Sequence, residues 1–137
     1  MKIHKEVIEH IKQHAEETYP FECCGILVSS NSEKADEVDK AFRTRNMVTT
    51  RQDRYEIDPE DYLKIEKMCR DNGWEIVGFY HSHPDHPAAP SEFDRQRAWP
   101  QFLYLIVKVE NGKMVDANGF IMTEENSVFH PEALEII

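Results

Sequence analysis

The chain is predicted to be an α/β protein, a mixed β-sheet flanked by helices, with residues 1–137 forming a single domain. Three observations predict this. The segments WEIVGFY (74–80) and FLYLIVKV (102–109) are apolar on both alternating faces, as strands covered on both sides must be. Two other segments carry apolar residues at helical spacing and are bounded by breaker or turn residues. A length of 137 residues buries one apolar core and leaves little for a second.

The first helix is expected over residues 3 to 18, where Val7, Ile8, Ile11, Ala15 and Thr18 recur at three- and four-residue steps before Pro20 stops it. CGILV (24–28) follows as a buried strand with Glu22 at its mouth, and residues 36–44 give a weaker strand signal. Asp58, Pro59, Glu60 and Asp61 then form a helix start, with a cap, a proline at the first helical position and acids in the first turn. Tyr62, Ile65, Met68 and Cys69 supply its apolar stripe, and Asn72-Gly73 ends it. After the two central strands, Asn111-Gly112 offers a tight turn into MVDANGFIM (114–122), which predicts an antiparallel hairpin.

Composition excludes some functions. Lys and Arg number 16 against 26 Asp and Glu, and a formal charge of −10 does not suit a binder of phosphate backbones, so nucleic acid is not expected as a partner. No apolar stretch approaches the roughly 18 residues of a membrane span, and MKIHKEVIEHIKQH is polar and amphipathic; the expectation is a soluble, cytoplasmic protein without a membrane partner. Of the three cysteines, Cys23 and Cys24 are adjacent, a pair that bridges only with strain. They are expected to be small buried residues in a reducing compartment.

The chemistry concentrates in HSHPDHPAAPSEFD (81–94). His81 and His83 stand two apart at a strand end, so their side chains leave one face and can share an ion. Ser91 and Asp94 stand three apart at a helix start, where Asp94 can complete a two-histidine, one-carboxylate set with a fourth position open to water. Alone, Ser91-x-x-Asp94 reads first as a capping-box variant, and a lone His-x-His as a solvated edge. The five residues together are another matter, because at roughly one in twenty each the combination arises by chance in about 4 × 10⁻⁵ of chains this long.

His81, His83, Pro84, Ser91 and Asp94 match without a gap the signature of the JAMM (MPN+) metallopeptidases, and the chain resembles that family, in particular its prokaryotic JAB-domain subgroup. Pro20-Phe21-Glu22-Cys23-Cys24-Gly25 is similar to the segment that supplies the upstream glutamate in prokaryotic members, as are Arg54-Tyr55 and Ile57-Asp58-Pro59 to another stretch of the subgroup. The resemblance covers residues from about 3 to 122 and implies a cytidine-deaminase-like α/β fold, the JAMM/MPN core. It also implies roles: His81, His83 and Asp94 as ligands of Zn2+, Glu22 as the acid/base that takes a proton from metal-bound water and delivers it to the departing amine, and Ser91 as an oxyanion donor. The implied reaction is hydrolysis of an amide bond at the C-terminal Gly-Gly tail of a ubiquitin-like or sulfur-carrier protein. Two rivals stand beside it, a zinc amidase acting on a small molecule and a non-catalytic interaction module of the same fold.

The remaining polar residues carry weaker signals. His10 and His14 stand at i and i+4, but HIKQH lacks the glutamate of a zincin helix, and both are expected to face solvent. His86 lies in the site segment within reach of a substrate, while His4 and His130 have no partner visible in the sequence. Arg43, Arg45, Arg51 and Arg54 read either as a solvated loop or as a receiver for an acidic partner surface or a terminal carboxylate.

Overall fold

In the computed structural model, which describes residues 1–123 and 128–137, the apolar alternation resolves into a six-stranded mixed sheet with a helix on each face. The elements are β1 (Lys2–Ile3), α1 (Lys5–Thr18), β2 (Cys24–Ser29), β3 (Glu37–Val38), β4 (Lys40–Thr44), α2 (Pro59–Asn72), β5 (Glu75–Pro84), α3 (Glu92–Arg97), β6 (Leu103–Glu110), β7 (Lys113–Met122), β8 (Phe129–Glu132) and β9 (Glu135–Ile136). The main sheet runs β4-β2-β5-β6-β7-β8; β5 and β6 pair in parallel, and all other neighbours are antiparallel. That single parallel pair is where the chain must cross over, and α3 lies in the crossover.

Strand alternation gives the sheet two apolar faces. On one, Val7, Ile11 and Ala15 of α1 share a core with Leu27, Leu105 and Val107. On the other, Ile65 and Cys69 of α2 share a core with Ile26, Val28 and Phe79. The larger of these, Val, Leu, Ile and Phe, each stabilise the fold by about 1.5–3 kcal/mol when fully buried, which holds the sheet between its helices. The α2 boundaries follow the sequence reading: the Asp58 carboxylate accepts the Glu60 N–H at 2.9 Å, and Gly73, at φ 70°, closes the helix from the left-handed region. Asn111 and Gly112, at φ 49° and 84°, form the hairpin turn between β6 and β7.

Three features differ from the sequence reading. The first helix starts at Lys5, because fully buried Ile3 pairs instead with Val38 and Ile136 in a small parallel sheet of order β3-β1-β9. Two-residue strands carry no periodicity, so only the distant partners define them. β8 extends the main sheet beyond the expected hairpin by pairing with β7. Finally, β5 runs on past Tyr80 to Pro84, held by β2 on one side and β6 on the other, so the His-x-His sequence is part of a paired strand.

Candidate metal centre

Alternation along β5 sends His81 and His83 to the same face as Phe79, and both imidazoles are buried. α3 approaches that face with its first turn. Ser91 caps it: its Oγ accepts the Asp94 N–H at 3.0 Å, and Asp94 Oδ2 accepts the Ser91 N–H at 2.9 Å, a complete capping box. The same Asp94 Oδ2 lies 3.1 Å from His83 Nε2 and 3.2 Å from His81 Nε2, and the two Nε2 atoms are 3.1 Å apart. One carboxylate thus caps the helix and lies against both imidazoles, so capping does not exclude the metal reading of the sequence.

This triangle fits zinc. Ligand bonds of about 2.0–2.1 Å in a tetrahedron set ligand atoms about 3.3 Å apart, close to all three edges. Protonation agrees as well. His83 Nδ1 donates to the Pro87 carbonyl at 2.7 Å, and since a carbonyl only accepts, the neutral ring turns the lone pair of Nε2 into the triangle. His81 is stacked under Tyr55 with ring centroids 4.3 Å apart, and its Nδ1 has no hydrogen-bond partner among the described residues. Burial lowers the His81 pKa against the opposing pull of Asp94, which favours the neutral ring that a metal requires. Burial pushes the Asp94 carboxyl upward; the imidazoles, whenever they are protonated, and the Ser91 N–H pull it the other way and hold it well below the carboxylate range.

Glu22 reaches the triangle through strand register. Cys24 pairs with His81 across the antiparallel β2–β5 ladder, Ser82 N–H donates to the Cys23 carbonyl at 3.1 Å, and Glu22 therefore falls opposite His83. The Cys23 N–H donates in turn to Ser82 Oγ at 2.8 Å. Glu22 is 1% exposed and its Oε1 has no hydrogen-bond partner among the described residues. Burial, then the charges of Asp94 and Asp53, raise its pKa to about 9. Asn46 fixes the backbone there: its Nδ2 donates to the carbonyls of Glu22 and Arg54 at 3.0 and 3.2 Å, and its Oδ1 accepts the N–H groups of Val48 and Glu56 at 2.9 and 3.0 Å. A cleft of about 650 Å³, lined by His14, Thr18, Phe21, Glu22, Asn46 and Met47 among others, opens beside Glu22.

Asn46, Ser82 and the Pro87 carbonyl were not found by sequence reasoning, and no motif marks them; each acts through a backbone contact that only the fold creates. Cys23 and Cys24 are buried as expected, and burial pushes both thiols up to about 12, far from thiolate chemistry at neutral pH. The expectation that His14 faces solvent is incorrect. It is buried, with Nδ1 2.7 Å from the Tyr80 hydroxyl, because α1 lies across the sheet at that turn, and burial, then Arg43, lowers its pKa to about 4. His10 is half-buried, its Nε2 without a hydrogen-bond partner among the described residues, His4 meets Glu37 at 2.6 Å, and His130 is exposed on β8. Three of the four arginines have internal partners: Arg43 with Glu17, Arg45 with Asp58 and Asp61, and Arg51 with Asp53. Arg54 lies over the Phe93 ring at 4.7 Å.

The fold is shared with solved structures of the JAB/MPN type, and the family match and the desampylase relative define the class, a JAB hydrolase. A desampylase of Haloferax volcanii is 36% identical over 101 residues, 73% of this chain and 71% of the relative. The solution structure of a Desulfitobacterium hafniense protein matches with a TM-score of 0.83 at 29% identity, covering 100% of this chain and 93% of its own. A structure reported as a JAMM metalloprotease-like zinc site in the proteasome and signalosome matches in fold, with a TM-score of 0.61 at 18% identity over 100% of this chain and 97% of the other. The chain belongs to the prokaryotic homologs of the JAB domain, a description that matches residues 4–119. Among the described residues no helix is long and apolar enough to cross a membrane.

Proposed function

We propose that the chain is a single-domain zinc peptidase or isopeptidase that hydrolyses the amide bond at the C-terminal Gly-Gly tail of a ubiquitin-like or sulfur-carrier protein. The observation that carries the reading is the triangle of His81 Nε2, His83 Nε2 and Asp94 Oδ2, with edges of 3.1–3.2 Å, and beside it Glu22, whose Oε1 has no hydrogen-bond partner among the described residues. His81, His83 and Asp94 hold the ion. Bound zinc supplies Lewis acidity and lowers the pKa of a coordinated water to about 7. Glu22, whose carboxylate form a neighbouring dication favours, takes a proton at its free oxygen and returns it to the departing amine. Ser91 accepts the Asp94 N–H, which leaves its own O–H free to donate to the developing oxyanion.

The substrate class rests on the curated relative, a desampylase, and on the narrow chemistry of a glycine tail, which lies as an extended strand where bulky side chains cannot. The test uses a carrier protein extended beyond Gly-Gly, the same carrier ending Gly-Val, and a short free peptide of the same tail. Rapid cleavage of the first alone supports the reading. Similar rates on all three point instead to a small-molecule or generalist amidase.

A further inference from the structure

His86 takes no part in the triangle, yet it stands inside the site. One ligand atom each from Glu22, His83 and His86 lies within 4.8 Å of the others, a second group that overlaps the first only at His83. His83 has no donor to spare, because Nε2 faces the triangle and Nδ1 donates to the Pro87 carbonyl. The free donors are those of Glu22 and His86. Glu22 Oε1 is buried without a hydrogen-bond partner among the described residues. His86 Nδ1 lies 2.8 Å from the Pro84 carbonyl and must carry a proton to bond it, so the neutral ring has its lone pair on Nε2. Stacking on His83, with ring centroids 4.1 Å apart, holds that ring in place.

From this geometry we infer a second, inhibitory metal site in which Glu22 and His86 bind a zinc ion beside the first, with solvent completing its coordination. The inference rests on the metal reading of the His81, His83 and Asp94 triangle. A carboxylate and an imidazole suit zinc, and paired metal sites commonly place their ions about 3.5–4 Å apart. With two protein ligands instead of three, and with His86 only half-buried, the second ion binds more weakly and exchanges with solvent. Its effect is inhibition. A carboxylate engaged as a ligand no longer accepts a proton, so occupancy of this site removes the acid/base group while leaving the first ion in place.

The experiment is calorimetric titration of zinc chloride into metal-stripped protein, paired with rates on the extended carrier at rising free zinc. Wild type is expected to show a tight and a weaker binding event, with inhibition following the weaker one. His86→Asn keeps an N–H for the Pro84 carbonyl but loses the distal nitrogen. It should retain the tight event, lose the weaker one, and need at least about 10-fold more zinc for half-inhibition relative to its own rate at the lowest zinc. His86→Ala should behave the same way, which separates the ligand from the loop contact. A tight event with no second one overturns the inference, as does a second event unchanged in both variants. Absence of the tight event from wild type overturns the metal reading itself, and the inference falls with it.

Discussion

Replacing Glu22 by Gln should make the metal-free protein more stable and abolish the activity of the zinc-loaded one. The carboxyl is 1% exposed, and burial with the charges of Asp94 and Asp53 raises its pKa from 4.5 to about 9. Below pH 4.5 the group is protonated in the folded and the unfolded chain, so it imposes no penalty. As pH rises above 4.5 the unfolded chain ionises and the folded one does not, and stability falls until about pH 9, where both are charged. At pH 7 the loss is about 2–3 kcal/mol, allowing for the solvent that reaches the cleft Glu22 lines. Gln keeps the shape and cannot ionise. Urea unfolding of metal-free wild type and Glu22→Gln at a series of pH values should give equal midpoints near pH 4.5 and a variant midpoint higher by about 1–2 M at pH 7. Saturating zinc should narrow the gap, because a dication beside the carboxylate favours its charged form. A variant no more stable than wild type at pH 7, or a difference that does not change with pH, would refute the reasoning.

Elemental analysis should find about one tightly held zinc per chain, lost in His83→Ala and Asp94→Ala because a three-ligand site cannot spare a ligand; equal content in all three proteins removes these residues from the site. Ser91→Ala should lower stability by about 1 kcal/mol through loss of the cap and, in the proposed reaction, turnover by about 10²–10³-fold through loss of an oxyanion donor. Loss of stability with an unchanged rate leaves the cap alone. Gly78→Ala should cost about 3 kcal/mol or more in chemical denaturation, because the added Cβ would sit 2.2 Å from the Leu103 carbonyl oxygen in the β5–β6 pairing that carries the histidines. An unchanged midpoint there would mean the strands separate more easily than their register implies.

The sequence by itself determined the parts of this protein whose signals are local. α2 was legible because Asp58-Pro59 and Asn72-Gly73 act within one turn of the helix ends, and β5 and β6 because apolar residues on both faces of a short run suit little else. His81, His83, Ser91 and Asp94 were legible because their spacing matches strand alternation and a helical first turn, and both periods survived folding. Tertiary structure alone decided the rest, since it depends on partners far away in the chain. The β2–β5 register brings Glu22 opposite His83 across about sixty residues of sequence, and no periodicity in either segment specifies which residues face each other. The β3-β1-β9 sheet, the burial of His14 under α1 and the hold of Asn46 on the Glu22 backbone share that property. A pattern in sequence records which face of an element is apolar. Which elements meet, and in what register, is set by the packing of the whole sheet between its helices.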